Sequence, residues 1–155
     1  MGIETKSTEL TNEKGDSVKI ETTQFLSSQG VELQAKIVRM IIPVAGVALG
    51  STNSNKSILD QDFDIGKITE TLMLNFTEKK VLGLIMEIIS LSRLDGKELG
   101  KKEIFDIEFA GDYMLLFNTV KFALEANFGD FFGENGIGKY ISKYIKKIPI
   151  NLEEK

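Results

Sequence analysis

The chain of 155 residues contains no histidine, no cysteine and no tryptophan, and only two prolines. Without histidine there is no Ser-His-Asp or Cys-His catalysis and no imidazole metal ligand. Without cysteine there are no disulfides, thiolate zinc sites or iron–sulfur clusters. Any catalysis would have to rest on carboxylates, lysine, serine or tyrosine. The composition therefore argues against an enzyme, and no cofactor or metal is expected. What is present is ordinary for a globular chain: 42% hydrophobic residues, 27% charged and a net charge of −4. At roughly 100–200 residues per domain the length fits one domain, large enough to bury about two-thirds of its unfolded surface.

The first residues, Met1-Gly-Ile-Glu-Thr-Lys6, show no apolar run behind a basic end, so no secretory signal is expected. Lys6 stands where myristoylation needs Ser or Thr. The most apolar segment, Ile37–Gly50, falls short of the roughly 20 residues that span a bilayer and is expected to be a core helix. A cytoplasmic protein without a membrane partner follows from that reading. The mild acidity argues against nucleic acid: residues 1–24 carry five acids and three lysines. The basic stripe Lys139, Lys143, Lys146 and Lys147 reads as a solvated helix face.

Hydrophobic periodicity gives a mainly α fold: one compact helical domain over residues 17–148, with one or two short β elements. A polar leader at 1–16 and a tail at 149–155 flank it. The leader is expected to be loose, having almost no branched apolar residues. Val18–Phe25 alternates with β-branched residues and reads as a strand. A helix follows, with Leu33, Ile37, Met40, Ile41 and Val44 on one face, and Pro43 is expected to kink or break it. Asp64 is a candidate cap for a second helix burying Ile65, Ile68 and Leu72. Phe76-Thr77-Glu78 reads as a break before a third, which buries Val81, Leu82, Ile85, Met86 and Ile89. Asp95-Gly96 marks a turn, with Ser92–Leu94 and Lys97–Leu99 as a small hairpin around it. After IFDIEF the longest helical pattern runs from about Gly111 to Phe128, with Tyr113, Leu116, Phe117, Val120 and Leu124 as its stripe. A last helix is expected at 137–148, ended by Pro149.

Two near-matches to chemical motifs fail on specific positions, and a set of carboxylates lacks a defining spacing. Gly133–Lys139 fits the spacing of a phosphate-binding loop, but Tyr140 replaces the hydroxyl that ligates magnesium, and no strand precedes it. Asp60, Asp62 and Asp64 alternate as in a calcium loop, but Ile65 and Thr71 stand where glycine and glutamate are needed. Asp106, Glu108, Asp112 and Asp130 offer carboxylates without a spacing that singles out a pair.

The aromatics are more informative, since ten of the thirteen Phe and Tyr residues lie after position 100. Several fall at the ends of the long helix. They either close the core there or form an aromatic surface for a protein partner. Phe109, Phe128, Phe131 and Phe132 are the candidate contact residues. Phe131 and Phe132, being adjacent, cannot both face one core on regular structure, so one of them suits a partner or subunit contact. A homo-oligomer is compatible with the same surface.

The stretch from Phe109-Ala-Gly-Asp-Tyr through Ala-Asn-Phe-Gly-Asp-Phe-Phe-Gly133 resembles the tail assembly chaperones of long-tailed bacteriophages. So does TQFLSSQGVELQAKIVRMIIPVAGVALG at 22–49, followed by FDIGKITETL and DGKEL. The resemblance covers roughly residues 22–133. It implies a non-enzymatic protein of a phage or prophage, working in the host bacterial cytoplasm. Such a protein keeps the tape measure protein soluble and helps recruit tail tube protein to it. An apolar groove over a client's amphipathic helix suits that task. Two alternatives stand beside it: a minor tail or baseplate component retained in the virion, and a nucleotide-binding enzyme using Gly133–Lys139.

Overall fold

A computed structural model describes residues 3–51, 65–75 and 79–129, with positions 41–51 described by backbone alone. The chain opens with a hairpin. Strand β1 (Thr5–Thr11) pairs antiparallel with β2 (Ser17–Thr23), Thr8 opposite Ile20 and Leu10 opposite Val18. At its tip the Gly15 N–H donates to the Asn12 carbonyl at 3.0 Å, and the Asp16 N–H donates to Asn12 Oδ1 at 2.8 Å. Gly15 has φ +89°, a conformation open to a residue without Cβ. The expected loose leader is thus corrected: most of residues 1–16 is an ordered strand and turn. Threonine supplies the β-branching that aliphatic residues supply elsewhere, and pairing with β2 satisfies half of the strand's backbone groups.

Val18, Ile20 and Thr22 of β2 are buried, while Lys19 and Glu21 face outward and pair at 3.7 Å. Helix α1 (Ser27–Ser51) continues across Pro43, with Leu33 and Ile37 fully buried. Helix α2 (Ile65–Leu74) buries Ile65, Ile68 and Leu72, as its spacing predicts. Helix α3 (Lys79–Ile88) buries Val81, Leu84, Ile85 and Ile88, with Leu82 and Met86 half-buried against them. The cap position Asp64 and the break at 76–78 lie outside the described residues.

Strands β3 (Ser92–Leu94) and β4 (Lys97–Glu98) form the predicted second hairpin. Asp95 and Gly96 both have positive φ, +50° and +84°, the turn whose twist matches paired strands. The two β pieces are not separate. Strand β3 pairs with β2, giving a four-stranded antiparallel sheet in the order β1-β2-β3-β4. The fold is therefore mixed, a small sheet among helices, rather than mainly α. A hydrogen bond of 2.8 Å between the Thr22 and Ser92 hydroxyls satisfies both groups where the strands are buried. Among the described residues no buried side-chain polar atom lacks a partner.

Most of IFDIEF lies in the short helix α4 (Lys102–Glu108), and its Phe109 caps the helix's C-terminus. The long helix, α5, spans Tyr113–Phe128. Leu116, Val120 and Leu124 are buried as predicted, but Tyr113 is 62% exposed and Phe117 half-buried. Leu115, Thr119, Ala123 and Ala126 are buried too. This helix is covered on more than one face, meeting β1 and β2 as well as α2 and α3. The helix expected at 137–148 and the tail lie outside the described residues.

Asp112 starts α5. One carboxylate oxygen accepts from the Leu115 N–H at 3.1 Å, and the other accepts from the Glu13 N–H of the first hairpin at 2.7 Å. One side chain thus caps the helix and ties the hairpin tip to it. Asp112→Ala should cost about 0.5–2 kcal/mol, the range of a lost N-cap, measured by urea denaturation. Asp112→Asn, which keeps one amide oxygen as an acceptor, should recover part of the loss. An alanine variant as stable as wild type would show that the tie stabilises nothing.

Candidate functional site

The open end of the first hairpin and the C-terminal end of α5 come together. The Gln24 N–H donates to the Glu4 carbonyl at 2.9 Å, and the Glu4 N–H donates back to Gln24 Oε1 at 3.2 Å. Gln24 Nε2 donates to the Ala126 carbonyl at 3.0 Å, and the Phe25 N–H donates to Asn127 Oδ1 at 2.9 Å. Asn127 Nδ2 in turn donates to the Ala123 carbonyl at 3.1 Å. Two amide side chains therefore fasten the link between β2 and α1 to the last turn of α5.

A cleft of about 270 Å³ opens over this frame, where the amide and hydroxyl side chains of Gln24, Ser27, Gln34 and Asn127 stand beside Leu26, Val31 and Phe128. Leu26 and Val31 are 58% and 65% exposed. Ile3, one residue before the Glu4–Gln24 exchange, is also exposed. Single exposed aliphatics are common; here two of them line one cleft. A second and larger cleft lies between α1 and α3, lined by Lys36, Arg39, Met40, Gly83 and Leu84 among others. A third group of exposed apolar residues, Ile107, Tyr113 and Met114, sits where α4 turns into α5.

The aromatic contact surface expected from the sequence is only partly on view. Phe109 is 3% and Phe128 4% exposed, so both belong to the core, and their proposed contact role is corrected. Phe109 packs edge-to-face on Phe105, with ring centroids 5.3 Å apart. These rings close the core at the helix ends. Phe128 still lines the open-end cleft. Phe131 and Phe132 lie outside the described residues, as do Asp130, the Gly133–Lys139 loop, the Asp60–Asp64 cluster and the basic stripe.

The remaining candidate carboxylates have structural partners. Asp106 bonds to Lys102 at 2.7 Å, Glu108 to Lys97 at 3.0 Å, and Asp112 caps α5. Among the described residues no group of three or more metal-ligating side chains occurs, and no helix is long and apolar enough to cross a membrane. Sequence reading missed both clefts, since it followed buried stripes rather than the exposed residues beside them.

The family model described as phage tail assembly chaperone protein, TAC, matches residues 16–138. The chain belongs to the phage tail assembly chaperone family. No curated protein and no solved structure matches it. The matched span begins after β1, so the family region takes in β2 and every later described element. For a tail assembly chaperone the open-end cleft is a surface presented on a fastened frame rather than on a free loop. Asn127→Ala should remove the acceptor for the Phe25 N–H and cost about 1–3 kcal/mol, the penalty for stranding a largely buried donor. The Phe25 amide should exchange faster with deuterium. Unchanged protection of that amide would show that Asn127 does not hold the end together.

Proposed function

We propose that this chaperone binds the tape measure protein and assists assembly of tail tube protein around it, non-enzymatically and in the host bacterial cytoplasm. The observation that carries the reading is the open-end cleft, where Leu26 and Val31 stand exposed on a hydrogen-bonded frame. A chaperone for a long, aggregation-prone client needs apolar surface that stays open without the chaperone collapsing on itself. The amide clamp at Gln24 and Asn127 supplies that separation, because it spends polar bonds on holding the end and leaves the aliphatics uncommitted. Family membership supports tail assembly as the setting. Net acidity keeps the chaperone soluble while it offers such a surface.

The test is co-expression with the tape measure protein of the same phage. Wild type should raise the soluble fraction of that protein and co-purify with it. Leu26→Glu combined with Val31→Glu should cut the co-purified amount by about tenfold, since charges placed in an apolar contact are left desolvated and unpaired. The urea midpoint should stay the same, because both side chains are already exposed. A wild-type chain that neither solubilises nor retains the tape measure protein would overturn the proposal. So would an abundant, stoichiometric copy in purified particles, which would make the chain a structural tail component.

A further inference from the structure

The cleft between α1 and α3 differs in kind from the one at the open end. It encloses about 600 Å³, with half-buried Met40 and buried Leu84 as apolar lining. Lys36 and Arg39 come from α1, and Lys80 and Glu87 from α3. Lys36 bonds to Glu87 at 3.1 Å, while Arg39 and Lys80 are exposed and have no ion-pair partner among the described residues. A chain with net charge −4 thus gathers three cations against one carboxylate around an apolar cleft.

Gly83 adds an independent observation. It lies inside α3, where glycine costs about 0.5–1 kcal/mol relative to alanine. Neither of the usual reasons for a glycine applies: its φ is not positive, and a Cβ built on it meets no atom within 4 Å. The position borders open space. A small residue lets the backbone of a crossing helix come nearer, towards the short end of the usual interaxial distances of about 8–10 Å.

We propose that the α1–α3 cleft seats an acidic amphipathic helix of a protein partner. Its apolar face lies on Met40 and Leu84, its backbone crosses close over Gly83, and its carboxylates meet Arg39 and Lys80. This deepens the proposed function and rests on the reading that the chain works by holding another protein. No charged residue is among those described as lining the open-end cleft, whereas this one selects by sign.

The probes are two synthetic amphipathic helices with the same apolar face, one carrying glutamates and the other lysines on its polar face. Binding to the full chain is read by fluorescence anisotropy. The acidic peptide should bind and the basic one should not. Arg39→Glu with Lys80→Glu should weaken the acidic peptide by at least about tenfold and reverse the preference, since like charges would then face each other. Gly83→Leu should weaken it by about tenfold through overpacking, with an equal or higher urea midpoint, because leucine is the better helix former. That pairing of lost binding with retained stability separates a docking role from a structural one.

Equal binding of both peptides, or full binding by Gly83→Leu, would overturn the proposal. So would a dimer of the chain that Gly83→Leu abolishes, which would give the cleft to a second copy. Retention of the tape measure protein, measured in parallel, keeps the two readings apart. A wild type that selects the acidic peptide but leaves the tape measure protein unbound refutes the proposed client and not the cleft. A client retained undiminished by the charge-reversed and Gly83→Leu variants, which also bind the acidic peptide normally, refutes the cleft and not the client.

Discussion

Helix α5 is enclosed on more than one face and held at both ends, and the rest of the domain is arranged around that constraint. Its 16 residues span about 24 Å at 1.5 Å per residue. The seven residues of β2 span about 23 Å at 3.3 Å per residue. Helix and strand are therefore of matched length, which lets one helix meet both ends of one hairpin. Asp112 holds the hairpin tip at the N-terminal end. Gln24 and Asn127 hold the open end at the other. Neither tie alone would fix the helix direction on the sheet. Two ties 15 positions apart do, and they make α5 run in the same direction as β2.

Enclosure also explains which side chains α5 carries. A helix covered from two directions cannot be amphipathic in the usual sense, so its buried set includes Thr119 and Ala123 beside the leucines. Thr119 returns its hydroxyl to the Leu115 carbonyl at 2.7 Å, and Thr69 of the facing α2 does the same to Ile65 at 2.7 Å. Each buried hydroxyl is satisfied within its own helix. The short side chains let α2 and α5 approach closely. With the interior committed in this way, α1 and α3 meet each other more loosely at the periphery. Residues of α1 line both clefts to which a docking role is proposed.

Much of this was legible in the residues. Asp95-Gly96 predicts its hairpin because both positions need positive φ, and the spacing of Ile65, Ile68 and Leu72 predicts α2 because only one face of that helix is buried. Strand β1 was not legible from hydrophobicity, since its core-side residues are Thr8 and Leu10. Asn12-Glu-Lys-Gly15 was the signal that a tight turn joins it to β2. The stripe on α5 was incomplete because periodicity assumes a single buried face. Position at the helix ends makes Phe109 and Phe128 contact candidates, but it does not distinguish a ring that closes the core from one that faces a partner. The clefts were illegible for a different reason: Arg39, Lys80 and Gly83 follow no pattern along the chain and come together only when α1 lies beside α3.

The absences in the sequence bear on how such surfaces operate. No side chain here has an ordinary pKa between about 5 and 8, because that range belongs to histidine and the chain has none. The field of the charged side chains around the α1–α3 cleft is screened by salt. Nor is there a thiol to switch by oxidation. If a partner is held on the proposed surfaces, one route of release that needs neither switch is competition for its own apolar face. That route suits an assembly reaction, since a component that packs permanently on the partner wins by burying more area than a chaperone's open clefts can cover.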